Sequence, residues 1–452
     1  MVEESLRPIL FLFACGTLAC NSVPEERVPP WPEWVYHHWV WEDESTQESA
    51  LALANGYAAQ NIPVGAVIID SPWATGYNTF DWDPLLFPEP QEMIDELHEQ
   101  DVRVVMWIVP AINVEEVALY TEATENGYFM QADADSGPVV VDWWKGQGSL
   151  IDYFNPEALA WWHGLMDTTI EYGIDGWKCD GLDFSSFLAP YSPGLGRKVT
   201  RLEYSHAYYR DSFDYLRERL GDDRLITSRP VDNYGADVGG EGVSFTPVDI
   251  TWAGWVGDQD PDFAGLRAAL NNMYYSAQMG YVNIGSDIGG YRQDGSALGR
   301  EKESFVRWAQ LGAFSPFMEN GGSGEHRPWL FDAETLEVYQ RFTALHYALI
   351  PYLMREGAQS YAESRPLMDF LHDTTYIYRL GPDVFVAPFL ESGTEISVQF
   401  PDSGRWIYLF DTRQVHEPGS TAQLTVPLQE FPVFVREGAP LGEVLAAILE
   451  AN

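Results

Sequence analysis

The chain has 452 residues, 46% hydrophobic and 21% charged, which supports a large apolar core and excludes a disordered chain. Its 26 Lys and Arg against 68 Asp and Glu give a formal net charge of −42. Such a surface repels phosphate backbones, anionic lipid surfaces and anionic substrates, and excludes nucleic acid as a partner. The 17 Trp, 24 Tyr and 23 Phe suit a large core and equally the stacking platforms of a sugar-binding cleft.

Residues 1–30 read as a leader and linker. Ile9 to Cys20, ILFLFACGTLAC, is too short to span a bilayer as a helix and suits the apolar region of an export signal. Thr17-Leu18-Ala19-Cys20 ends as bacterial lipoprotein signals do. Cys20 is therefore the expected lipid anchor, and an exported periplasmic or cell-surface lipoprotein the expected location. Glu3 and Glu4 depart from the basic start of such signals. Of the three Cys, Cys15 and Cys20 lie in the leader and Cys179 alone in the body, so no disulfide framework is expected and Cys179 reads as core.

From residue 31 to about 365, short apolar runs alternate with amphipathic stretches. The expected strands are 35–41, 65–70, 103–109, 176–179, 225–228, 249–252, 281–285 and 312–317, with helices over 46–60, 90–100 and 156–173. Eight β-then-α units predict an α/β fold, a (β/α)8 TIM barrel. A doubly wound sheet is the alternative, but no Gly-rich phosphate turn follows the first strand. Residues 111–150 exceed a simple loop and predict an inserted subdomain after strand 3. From 366 to 452, short alternating runs split by turns predict a C-terminal antiparallel β-sandwich.

Chemistry in such a barrel sits at the C-terminal strand ends. Asp70, Trp107, Asp180, Arg229, Asp258 and Asp287 fall there, with Trp144, Trp177 and Trp255 near. No His/Cys cluster has metal-ligand spacing, and no nucleophile-elbow motif is present. Four carboxylates, one Arg and aromatic walls point to glycoside hydrolysis, in which one carboxylate attacks and another shuttles a proton.

Four ordered segments carry a resemblance. GIDGWKCDG, WVGDQDPDFAGLRAAL, FDWDPLLFPEPQEMIDELHEQDVRVVMWIVP and YVNIGSDIGGYR resemble the motifs of glycoside hydrolase family 31, the α-glucosidase, α-xylosidase and α-galactosidase family. The resemblance runs from about Trp34 into the C-terminal sandwich. It implies a retaining, exo-acting α-glycosidase with Asp180 as nucleophile and Asp258 as proton donor and then general base; Asp260 is the reserve for the second role. Lys178 would bind the sugar and keep Asp180 charged. Asp70, Asp287 and Arg229 would be sugar ligands, and Trp107, Trp144, Trp255 and Tyr291 aromatic walls. No cofactor and no metal are implied, and the partner is a carbohydrate. An α-transglycosylase on the same site and a non-catalytic carbohydrate-binding lipoprotein are the alternatives.

Two departures bear on specificity. Gly321 occupies the position of the family's sugar-binding His; His326, Asn320 or Glu319 are the expected substitutes. Asp183 stands near the place of a family Glu. The resemblance also covers no N-terminal β-sandwich, so a more open pocket, or one completed in a homo-oligomer, is expected.

Overall fold

The computed structural model describes residues 28–181, 190–234, 236 and 244–451. The leader with Cys20, and Asp183, lie outside them. Among the described residues no helix is long and apolar enough to cross a membrane.

Eight parallel strands form the central sheet: β1 His38–Glu42, β2 Ala66–Ile69, β3 Arg103–Ile108, β4 Gly176–Cys179, β5 Leu225–Ser228, β6 Ala253–Val256, β7 Ile284–Ser286 and β8 Met318–Asn320. The order is β7-β6-β5-β4-β3-β2-β1-β8. A parallel bridge between Asp287 and Glu319 joins β7 to β8 and closes the barrel. Strands such as AVII and AGWV are buried at every position, as expected where a parallel sheet is covered on both faces.

Local chemistry sets the helix starts. Thr46 and Thr200 each form a capping box, with Ser49 and Glu203, and Asn155 caps the helix that opens on Pro156. Each such cap contributes about 1 kcal/mol. Asp262 accepts the N–H groups of Ala264 and Gly265 and so starts helix Phe263–Gln278 directly after the β6 loop.

Two strands lie later in the chain than expected. DITW, 249–252, is a turn beginning at Pro247, whose carbonyl accepts the Ile250 N–H, and the strand is the following AGWV. GAFSPF, 312–317, is the end of helix Lys302–Ala313 and its turn. Pro316 cannot donate to a ladder, and the strand is Met318–Asn320. In both cases an apolar run was read as the strand itself rather than as the approach to it.

After β3 come strands Ala111–Asn113, Val140–Trp143 and Gly146–Leu150 in a three-stranded antiparallel sheet with helix Val117–Glu125. Trp143 pairs with Gly146, leaving the two-residue tip Trp144-Lys145. The Asn113 side-chain amide donates to the Lys145 carbonyl at 2.9 Å and accepts the Trp143 indole N–H at 2.8 Å, fixing that tip. Beyond the long helix Ala333–Glu363, six antiparallel strands between Met368 and Arg436 and a separate pair, Glu395–Gln399 with Thr421–Thr425, make the C-terminal β-domain.

Candidate active site

Side chains alternate along β4. Cys179 lies against Tyr208 and Ser212 of helix Arg201–Leu220, and burial pushes its thiol well up. Lys178 and Asp180 face the other way, into the barrel. The Lys178 ammonium donates to Asp70 at 2.8 Å and stands 3.5 Å from the Trp41 ring centroid and 5.3 Å from that of Trp255. Burial alone would lower its pKa, but Asp70, Glu319 and Asp287 outweigh it and hold the ammonium well above the usual lysine range. Lys178 thus bonds directly to Asp70 and reaches Asp180 through its charge alone, which helps keep that carboxyl ionised, while Arg229 makes the direct bond to Asp180.

Arg229 follows β5 and is 1% exposed. Its Nε donates to Asp180 at 3.0 Å, one Nη donates to Asp258 at 3.0 Å and the other to Asp232. Its guanidinium carbon lies 4.4 Å from the Tyr234 ring and 4.6 Å from the Trp255 ring. One planar fork therefore ties together three carboxylates from three strand ends, a geometry that a lysine cannot supply. The carboxylates outweigh burial and keep the guanidinium firmly charged. Asp232 is held in turn by the N–H groups of Asn233 and Gly257 and by the Asn272 amide.

Asp180 accepts Arg229 and the Gly181 N–H on Oδ1 and the Trp107 indole N–H, at 3.3 Å, on Oδ2. Burial raises its pKa; Arg229 opposes this and Asp258 adds to it. Asp258 has φ 67°, the left-handed region that costs most side chains and that Asp tolerates best. That turn brings its carboxylate back onto Arg229. Its N–H points at Asp287 Oδ2, 3.4 Å away. A Cβ at Gly257 would lie 2.7 Å from the same Asp287 oxygen and 2.4 Å from the Trp255 indole nitrogen, so only glycine fits between them. Asp287 is raised to about 7 by burial, with Asp258 adding and Lys178 opposing. Deeper still, on β8, Glu319 is fully buried and neither carboxylate oxygen has a partner among the described residues. Burial, then Asp287, raise it well above the ordinary carboxylate range.

These groups line or underlie a cavity of about 420 Å³. Asp70, Trp107, Trp144, Lys178, Asp180, Arg229, Asp258 and Tyr291 line it. Trp255 and Asp287 lie beneath this lining, against Lys178 and Arg229. Asp260 does not reach it: it is exposed and pairs at 3.3 Å with Arg292, which itself lines the cavity. Nor does His326, which borders a second cavity with Glu325 and Ser323. Its carbonyl accepts Asn320 and Tyr57, which fixes that loop away from the mouth. Asn320 is thereby turned to its own loop as well.

Trp41, Asp43, Lys145 and Tyr234 also line the cavity and were not singled out from the sequence. Trp41 is the next-to-last residue of β1, where the strand-end rule would have found it. Asp43 is two residues further on. Tyr234 follows Arg229 by five residues and Lys145 shares the insertion tip with Trp144. The Trp41 and Tyr291 rings are near parallel, 15° apart, with centroids at 6.0 Å. A Cβ at Gly321 would stand 2.2 Å from the Trp41 ring. No side chain fits there while Trp41 keeps its place, which accounts for the glycine.

A (β/α)8 barrel with carboxylates gathered at its C-terminal mouth defines the class of a carbohydrate-active barrel. Residues 28–356 match the glycosyl hydrolases family 31 TIM-barrel domain and residues 364–441 the family's C-terminal domain. The chain belongs to glycoside hydrolase family 31. It is 24% identical over 434 residues to the α-xylosidase XylQ of Lactiplantibacillus pentosus, covering 90% of this chain and 54% of that protein. It is 26% identical over 459 residues to a 1,3-α-isomaltosidase of Kribbella flavida, covering 90% and 60%. The chain thus spans little more than half the length of these curated relatives. A family 31 α-xylosidase from a soil metagenome, solved with xylose, has the same fold: TM-score 0.79 and 20% identity over 93% of this chain and 65% of that one.

Proposed function

We propose that the protein is a retaining, exo-acting α-glycosidase. The observation that carries this reading is the single Arg229 fork holding Asp180 and Asp258 at the mouth of a family 31 barrel. Asp180 is the nucleophile: its Oδ2 has only the long Trp107 contact and faces the cavity. Asp258 protonates the leaving oxygen and then activates water. Arg229 keeps the nucleophile ionised against its burial and, as negative charge leaves Asp180, is free to strengthen its bond to Asp258. The carboxyl spacing this mechanism needs is about 5–5.5 Å. Asp70 holds the sugar, and Trp107, Trp144 and Tyr291 wall it; a cavity of about 420 Å³ has room for a terminal unit. Relatives named for α-xylosidic and α-glucosidic activity support the α-linkage.

The experiment is hydrolysis of a panel of aryl α-glycosides (glucose, galactose, xylose, N-acetylgalactosamine) by wild type and Asp180→Ala, in low and high salt. Cleavage of one member with an α-configured first product, and a loss of about four orders of magnitude or more in the variant, is expected. A β-configured first product would exclude the retaining mechanism, and silence of a folded wild type across the panel would exclude the glycosidase. Because Asp180 is raised by burial, the acid limb of kcat/KM should lie above that of an ordinary Asp.

A further inference from the structure

The wall of the pocket on the β1 side contains one acceptor that nothing in the double-displacement scheme uses. Asp43 lines the cavity between Trp41 and Tyr291. Its Oδ2 accepts the Tyr291 hydroxyl at 3.3 Å. Its Oδ1 has no hydrogen-bond donor among the described residues, although the carboxyl is more than half buried. At the end of the neighbouring strand β2 stands Asp70, whose own oxygens are taken by Lys178 and by the Ser71 N–H. On the other side of β1, directly after β8, Gly321 offers no side chain, because the Trp41 ring fills the space that one would need. On this edge of the pocket Asp43 is therefore the acceptor left open.

We infer that Asp43 is a specificity-determining ligand that accepts a hydroxyl of the glycosyl unit from the β1 side, the contact that position 321 cannot make. This rests on the glycosidase reading. Trp41 and Tyr291 line the cavity beside the carboxylate, so a pyranose meets aromatic surface while its edge hydroxyl meets Oδ1. The chemical class follows from the charges. After burial, Asp70 helps raise Asp43 to about 6 against the opposing charges of Lys178 and Lys145. A uronate or other anionic substituent on that edge would meet both carboxylates. The sugar bound here is neutral and carries a free hydroxyl at the position facing Asp43.

The test is kinetic, on the aryl α-glycoside that the wild type cleaves and on its monodeoxy analogues. Asp43→Ala is expected to raise KM and lower kcat/KM about 10- to 100-fold on the parent glycoside, the loss of one hydrogen bond to a charged group. On one deoxy analogue wild type and Asp43→Ala should be equally poor, since each lacks the same bond. Tyr291→Phe, which removes only the internal donor to Asp43, should keep the wild-type ranking of the deoxy analogues. Asp43→Ala within about twofold of wild type, or a loss equal on every analogue, overturns the assignment while leaving the glycosidase intact. If the wild type cleaves nothing, the glycosidase reading has failed separately. Calorimetric titration with the free monosaccharides then decides. Binding weakened by Asp43→Ala supports the assignment, and equal or absent binding overturns it.

Discussion

Arg229 at the barrel mouth and Arg307 at the seam with the C-terminal domain are both 1% exposed. Arg229 meets Asp180, Asp232 and Asp258. Arg307, on helix Lys302–Ala313, meets no carboxylate within ion-pair distance among the described residues. It donates to the backbone carbonyls of Glu430, at 2.7 Å, and Val426, at 3.1 Å, and to the Gln310 side chain, at 3.0 Å. Its guanidinium lies 3.9 Å from the Phe389 ring. Burial pulls Arg307 down to about 10, whereas the carboxylates carry Arg229 the other way. A cation among carboxylates leaves a field that responds when one of them loses charge, which a covalent step requires. A cation among neutral carbonyls responds to nothing and instead satisfies loop acceptors that would otherwise be buried unpaired. Two arginines equally withdrawn from water thus hold different things: one a cluster of three carboxylates, the other two domains.

The sharpest way to break this contrast is Arg229→Lys. Lysine keeps the charge but not the fork, so Asp180, Asp232 and Asp258 cannot all be held. A fall in kcat/KM of about 10²–10³-fold is expected, mainly in kcat; a variant within about tenfold of wild type would show that the bridge is not used in the reaction. Next in size is Arg307→Met, which keeps much of the side-chain length and removes every donor. It should cost about 3 kcal/mol of stability, read as a lowered urea midpoint, with kcat and KM of the folded enzyme unchanged. Loss of kcat in proportion to stability would mean that the seam and the mouth are one unit.

The mouth was legible in the sequence to the extent that strand ends were. Asp70, Asp180, Arg229 and Asp258 each directly follow an apolar run or a short loop after one, and all of them reach the cavity. Trp41 obeys the same rule but was hidden inside a run of aromatics, VYHHWVW, where burial alone explains a tryptophan. Asp43 and Asp232 were illegible for another reason, and Glu319 was legible only as a candidate sugar ligand. Their meaning comes from partners that no local pattern places beside them: Tyr291 for Asp43, Arg229 and the Asn272 amide for Asp232, Lys178 and Asp287 for Glu319. His326 was attractive because a histidine seemed owed near position 321, yet the loop is held by its own carbonyl, and Trp41 had already filled the space. The seam was wholly illegible. Arg307 sits in FVRWAQ, an unremarkable amphipathic helix, and its partners are main-chain atoms that no residue type announces.

The smallest effect, and the one that turns on sign, concerns Asp287. Its ordinary value of 3.8 is raised to about 7 by burial, with Asp258 adding and Lys178 and Arg229 opposing. The folded protein therefore holds that proton more tightly than the unfolded chain does. The stability this provides is fully present below about pH 4 and is lost as pH rises through about 7. Asp287→Asn cannot ionise and escapes that loss. It begins with a handicap at every pH, because its new amide hydrogens face Lys178 and Arg229 instead of an acceptor. The handicap does not vary with pH, so the informative quantity is the change in the gap between variant and wild type. From pH 5 to pH 8 the variant should gain about 2 kcal/mol on the wild type in urea unfolding. A gap that stays constant, or moves the other way, would mean that Asp287 is ionised in the folded protein at pH 5. Lys178 would then be compensating the mouth as fully as Arg229 does, and the buried carboxylates would hold no proton in reserve.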